Sequence, residues 1–474
     1  MKIIMHKEVN FFKIKTISVY NIIIIHIFIG IIVLLRNFFF PSIEVLKYEV
    51  MLIWLWSIVS CRYLEKSYNT PYLYFLGTYF LFLLSRIFLD IINIYDFSIT
   101  TGFSNYSYDL YTQKKILMNV FLSLWSIHLG YLIKNRKTKS FKVVGIKNNN
   151  LIKIGLIIFI MTLPLFYYDI IQNLQLVLSS GYLALFQDYG NQQSIIIILA
   201  KPLNQIGLYL FILGNPSKPK LKGILFLYLT VLFTQIIIGQ RGEVLSQILM
   251  LIYIISLLYD IKIRLFKIIL FMFLLISLAI FIDGLRTYRG VGIDKEIFKY
   301  FLIGQGVSIQ VLGYSIENEQ LLNDYKIINL FAELRSLLTS VIHRLIGTKS
   351  EITRNAYNSM VEFGHLGLKI SYLINSTKFF NGQGLGTSFI AEIYLIAREY
   401  GQVIIGLILG YMIKTLENMT YSSKRGILIY MVFAPSLYFL CRDSLLAFLS
   451  NGLIAIFIIL ILYLFNKNVN KALS

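Results

Sequence analysis

Four arginines stand at the margins of apolar stretches: Arg241 in IIIGQRGEVL, Arg286 and Arg289 in DGLRTYRGVG, and Arg442 in FLCRDSLL. All four fall at about the same depth on one side of a membrane, where arginine is otherwise scarce. Arg286 and Arg289 are three apart and share a face if the helix before them continues. A guanidinium is always charged and presents a planar fork, which suits bidentate bonds to phosphate or pyrophosphate oxygens on a lipid carrier. Each arginine taken alone can instead snorkel to the interface or pair with Glu243, Asp283 or Asp443. Four together on one side favour the ligand reading.

A second stretch, FFNGQGLGTSFIAEIYLIAREYGQVIIGLILG over 379–410, places Glu392 on an otherwise apolar helix. Such a carboxylate is a candidate general base for a sugar hydroxyl, or a partner for one of the arginines. His343 and His365 are two further candidate bases, although a lone histidine is more often structural. Gly382, Gly384 and Gly386 follow no strand, so they read as a turn into a helix and not as a dinucleotide fingerprint. Gly401, Gly406 and Gly410 read as small-residue packing sites. Arg86 lies inside an apolar span with Asp90 one turn later, and the spacing predicts a structural ion pair between them.

Several chemistries lack sequence support. There is no HExxH, no clustered ligand set and no DxD pair on the outward side, so no metal cofactor is expected. Walker and Rossmann patterns are missing as well. Cys61 and Cys441 have no partner spacing and imply neither a disulfide framework nor a metal site.

The elements that must hold these residues follow from composition. Of 474 residues, 57% are hydrophobic and 14% charged, more apolar surface than a soluble core of this length hides. The apolar stretches are continuous, as helices of about 20 residues crossing about 30 Å of hydrocarbon require, which argues against a barrel. Spans are predicted near 16–36, 48–64, 70–91, 114–133, 151–172, 193–213, 223–240, 243–260, 267–283, 400–416, 426–441 and 444–465. The expected fold is all-α and polytopic, with about 12 transmembrane helices. The basic N-terminal segment and the apolar stretch after it lack a small-residue cleavage site, so this first span is expected to be retained.

The net charge of +20 is mostly a topology signal. With the N-terminus inside, more than half of the 44 Lys and Arg fall on inward connections, against only Lys47, Arg241 and Arg442 on the short outward ones. Both termini are therefore expected in the cytoplasm, and nucleic acid is not an expected partner. Segment 92–113 carries no Lys or Arg and reads as an outward loop. The segment between Asp283 and the span near Tyr400 is too long for the charge rule, and it is expected to be a large outward segment. Within it, 296–316 and 327–346 are helical in pattern but too polar to span cleanly, so amphipathic or re-entrant helices over the outer face are expected. The expected organisation is a transmembrane bundle over 1–283, the large segment over 284–399, and C-terminal transmembrane helices over 400–474.

Four pieces of local sequence, GQRGE at 239–243, GLRTYRG at 284–290, GLGTSFIAEIYLIAREYG at 384–401 and CRDSLLAFL at 441–449, carry a family resemblance. The chain resembles the Wzy-type O-antigen polymerases (oligosaccharide repeat unit polymerases), which join lipid-linked repeat units in the bacterial inner membrane. The resemblance implies a class C glycosyltransferase-like enzyme that needs no metal, with its site on the periplasmic face. It implies an undecaprenyl-pyrophosphate-linked donor, and a chain-length regulator and a flippase as partners. Functional arginines of the family lie in periplasmic loops, onto which Arg241, Arg286, Arg289 and Arg442 map by position. Arg398 and Glu399 depart from the family pattern, where a more aromatic run is expected before Gly401. The resemblance leaves two rivals to polymerisation: O-antigen ligation in the same class, and transport of a lipid-linked oligosaccharide in another. Guanidinium groups neutralise a pyrophosphate leaving group without a divalent ion, and Glu392 or His365 would take the acceptor proton.

Overall fold

A computed structural model describes residues 2–135, 147–180, 195–264, 266, 277, 296–346 and 356–465. Arg286, Arg289 and the span expected at 267–283 lie outside the described residues or almost entirely so. The first helices are α1 (Lys2–Phe39), α2 (Ile43–Glu65), α3 (Pro71–Tyr79), α4 (Ser85–Ile91), α5 (Leu110–Lys134), α6 (Asn149–Ser180), α7 (Ile195–Leu213), α8 (Lys218–Ile238) and α9 (Arg241–Leu258). Then come α10 (Ile297–Gln305), α11 (Val307–Glu317), α12 (Ala332–Leu345), α13 (Ala356–Phe363), α14 (Leu366–Ile374), α15 (Ser376–Phe380), α16 (Phe389–Thr420), α17 (Lys424–Phe439) and α18 (Ala447–Phe465). No strand occurs among the described residues, and the isolated bridge between Ile99 and Ser107 ties the loop after α4.

Eight described helices are long and apolar enough to cross a membrane: α1, α3 continuing into α4, α5, α6, α8, α9, α16 and α17. The protein is an all-α polytopic membrane protein. Helix α2 has the length for a crossing, at 23 residues, but carries Glu44, Lys47 and Glu49 near one end and Arg62 and Glu65 near the other. Helices α7 and α18 contribute shorter apolar runs, Leu199–Leu213 and Ala447–Phe457.

The chain divides into two compact units. The first holds α1 to α5, residues 302–324 with α11, and residues 390–418 of α16. Helices α1 and α2 run antiparallel, whereas α2, α5 and α16 run in the same direction. Arg36 of α1 donates to Glu49 of α2 at one end (Nε to Oε1, 3.0 Å), and Lys414 of α16 meets Glu65 of α2 at the other (2.9 Å). Between them α5 and α16 approach closely because glycine removes the side chain. A Cβ at Gly406 would strike Ser126, and one at Gly410 would strike the Ile127 carbonyl. The expected small-residue packing at these two positions is therefore present. Gly401 packs instead on Ile393 and Ala397 of its own helix.

One expectation fails in this unit. Arg86 does not pair with Asp90. A π turn at Phe80–Leu84 precedes α4, and Asp90 at the far end of α4 is taken by Lys47 (2.9 Å) and by the Phe97 amide (3.3 Å). Arg86, fully buried, donates to the Ile303 carbonyl (2.9 Å), Thr101 (3.1 Å) and Tyr95 (3.4 Å). Helix α11, in the stretch where amphipathic or re-entrant helices were expected, is buried on all sides. Every residue from Ser308 to Ile316 is buried, with Gly313 against the Tyr108 ring and Tyr108 donating to the Gln310 carbonyl (3.1 Å).

The second unit holds α6 to α9, α12 to α15, α17 and α18. Helices α6 and α7 form its tightest pair. Gly155 and Gly207 face one another's helix backbones, and Asn204 donates to the Phe159 carbonyl (2.9 Å) and to Thr162 (3.1 Å). Helix α17 packs against α9, α18 and α7. Helix α12 leans on α18 and leaves Leu338, Val341 and Ile342 exposed along one face, the amphipathic pattern expected there.

Candidate functional site

The GQRGE stretch is built by two glycine requirements. Gly239 closes α8 in the left-handed region (φ 112°), and its amide donates to Gln235 and Ile236 carbonyls (both 3.0 Å). Gly242 leaves room for the Phe439 ring, which a Cβ would overlap. Phe439 ends α17, three residues before Arg442, so this contact sets Arg241 and Arg442 at one end of the α9 and α17 pair. Glu243, in the first turn of α9, accepts from Lys201 of α7 (2.6 Å) and from Gln247 (3.2 Å). Arg442 lies in a 3-10 turn, Leu440–Arg442, followed by Asp443. Lys201, Arg241 and Glu243 thus lie around the start of α9, and Arg442 and Asp443 lie just past the end of α17, which packs there against Gly242.

The first unit carries its own polar end, where the loop after α4 meets α5, α11 and α16. Tyr394 is its hub. The phenol oxygen accepts from Lys115 Nζ (3.1 Å) and from an Arg398 guanidinium nitrogen (3.2 Å), and the hydroxyl donates to Glu319 Oε2 (2.7 Å). Arg398 also forms an ion pair with Glu319, and its φ of 54° and ψ of −146° interrupt α16. Lys115 lies 4.8 Å from the centroid of the Tyr111 ring. Two residues before Glu319, Glu317 accepts from the Tyr106 hydroxyl. Desolvation, with the nearby Asp109 charge, pushes the Glu317 carboxyl above its ordinary range, and burial pushes the Tyr106 phenol up. Asp109, which caps α5 through the Thr112 amide (2.7 Å), is held below the usual carboxylate value by that bond.

The expected bases have different settings. Glu392 sits in the first turn of α16 at 2% exposure, in the first unit. His365 precedes α14 in the second unit, with Nδ1 at 3.4 Å from Glu333 Oε1. Gly364 before it has φ 74° and abuts Asn329, which fixes the entry into α14. Arg241 and Arg442 lie at one end of the α9 and α17 pair, and His365 shares their unit. Arg286 and Arg289 fall outside the described residues.

The family model described as O-antigen polysaccharide polymerase Wzy matches residues 20–472. The chain belongs to that family. No curated protein and no solved structure matches the chain. Membership in the O-antigen polymerase family carries a polymerising glycosyltransferase role in polysaccharide biosynthesis, with a lipid-linked oligosaccharide substrate in a membrane. No group of three or more His, Cys, Asp and Glu suited to a metal occurs among the described residues.

Lys201, Lys115, Glu319 and Tyr394 were not singled out by the sequence. The signal available was burial cost: Lys115 lies one turn inside an apolar span and Lys201 lies within another, positions where an ionisable group needs a partner. Arg398 was visible only as a departure from the family pattern, and its helix-breaking backbone is what makes it stand out.

Proposed function

We propose that this polymerase transfers a growing glycan from undecaprenyl pyrophosphate to the next lipid-linked repeat unit, at the periplasmic face of the bacterial inner membrane. Both termini are then cytoplasmic, and a chain-length regulator and a flippase work beside it. The observation that carries the reading is the packing of Gly242 on Phe439, which puts Arg241 and Arg442 at one end of a helix pair. Two guanidinium groups held in this way neutralise the charge that develops on the pyrophosphate as the glycosidic bond breaks, so no metal is needed. Arg286 and Arg289 are proposed to complete the grip.

His365 is the favoured base. A carboxylate at Nδ1 holds the imidazole in the tautomer that leaves Nε2 free to take the acceptor hydroxyl proton, with Glu333 in the orienting role. Glu392 is the alternative base, and its burial requires an opening before a hydroxyl reaches it. Deletion of the gene tests the reaction class. Loss of a polymerase leaves a single repeat unit on the lipid A core, whereas loss of a ligase leaves long chains on the carrier. Replacing His365 with Gln should abolish elongation; wild-type chain lengths there, with loss in Glu392→Gln, would move the base to Glu392.

A further inference from the structure

We infer that the loop-bearing end of the first unit is a glycan subsite, in which Lys115, Glu319 and Arg398, positioned by the buried Tyr394 and flanked by the rings of Tyr106 and Tyr111, take sugar rings of the lipid-linked substrate. The inference rests on the polymerase reading above and adds residues to it.

Charge separates this end from a pyrophosphate site. Lys115 and Arg398 are matched by Glu317 and Glu319, and Asp109 and Glu399 add negative charge nearby, so this end has no excess of cations, whereas a diphosphate calls for one. Donors and acceptors alternate around one phenol, from Lys115 and Arg398 through Tyr394 to Glu319, with each of these hydrogen bonds 3.2 Å or shorter. A neutral polyol presents the same alternation, since every hydroxyl both donates and accepts. Beside these groups Tyr111 is 62% exposed and Tyr106 38%, and a sugar ring has an apolar face that lies against an aromatic one.

Two costs are offset if the cluster binds. Arg398 occupies a backbone region that disfavours any side chain, and such residues persist where surrounding contacts over-determine them, often at ligand clamps. Here the ion pair to Glu319 and the bond to Tyr394 supply those contacts. Lys115 sits at the edge of a span, where an ammonium without a role is costly.

The full-length protein in detergent is titrated by saturation-transfer NMR with the repeat-unit oligosaccharide freed of its lipid, and separately with inorganic pyrophosphate. Wild type should bind the oligosaccharide saturably, with no displacement by pyrophosphate. Tyr111→Ala should weaken it about tenfold or more at unchanged thermal midpoint, and Glu319→Gln and the conservative Tyr394→Phe should weaken it by as much, with binding compared at a temperature where each variant is folded. No binding by wild type, or displacement by pyrophosphate, would overturn the subsite. Equal binding by the variants would also overturn it and make the rings an interfacial belt. Elongation by wild type together with unchanged glycan binding in the variants removes the subsite and leaves the polymerase; oligosaccharide binding without elongation does the reverse.

Discussion

Replacing Gly242 with Ala puts one methyl group into the space occupied by the Phe439 ring. Overpacking of this kind costs typically about 1–3 kcal/mol, because the ring or the helix end must move. The movement falls at the last residue of α17, immediately before the turn that carries Arg442. A misplacement of about 1 Å in a group that positions a reacting centre can cost on the order of 10²-fold in rate. The expected signature is therefore a small drop in thermal midpoint with a polymerisation loss of about 100-fold, far out of proportion to the stability change. Silver-stained lipopolysaccharide ladders from a deletion strain carrying the variant report chain length, and membrane blots report protein level. Phe439→Leu in the Gly242→Ala background should restore part of the ladder, and the double-mutant cycle should be non-additive. A wild-type ladder from Gly242→Ala alone at unchanged stability would refute the idea that this approach sets the two arginines.

Arg442→Ala and Arg241→Ala should each lower elongation on the order of 10²–10³-fold at normal protein levels, and Lys should restore little because it lacks the bidentate fork. Wild-type ladders in either Ala variant remove that arginine from the mechanism. Lys47→Met leaves Asp90 without its cation and should cost about 3–5 kcal/mol, seen in thermal unfolding, with Asp90→Asn in the same chain recovering much of it. The Glu317 carboxyl holds its proton more tightly in the folded state than its ordinary value of 4.5. Its contribution is thus most favourable at low pH and is lost as pH rises from the ordinary value through the raised one, so Glu317→Gln should flatten that part of the stability curve. An unchanged slope would show that Glu317 is not the group responsible.

What the sequence revealed depended on how local the physics was. Spans of apolar residues announce themselves, and Gly406 and Gly410 sit one helical turn apart on the packed face of α16, where they meet Ser126 and Ile127. The GQRGE tip was legible because a charged pair between two apolar runs has few places to go. Arg86 was misread because helical spacing shows only neighbours on the same helix, and the acceptor that binds Arg86 belongs to Ile303, 217 residues away. The same applies to Lys115 and Tyr394, which lie 279 residues apart and meet only once α5 and α16 are packed. Helix α11 lies in a stretch expected to be amphipathic or re-entrant because it is too polar to span cleanly. In the fold its Ser315 hydroxyl returns to the Val311 carbonyl (2.8 Å), and its Gln310 carbonyl accepts from Tyr108, so these two polar groups are satisfied inside.

The most direct test of the central claim is elongation by the purified protein in detergent, given lipid-linked repeat units, no ion gradient and an excess of chelator. The account predicts lipid-linked chains of increasing length, lost in Arg442→Ala. Unelongated substrate under these conditions, or elongation that requires an added divalent ion, would contradict it.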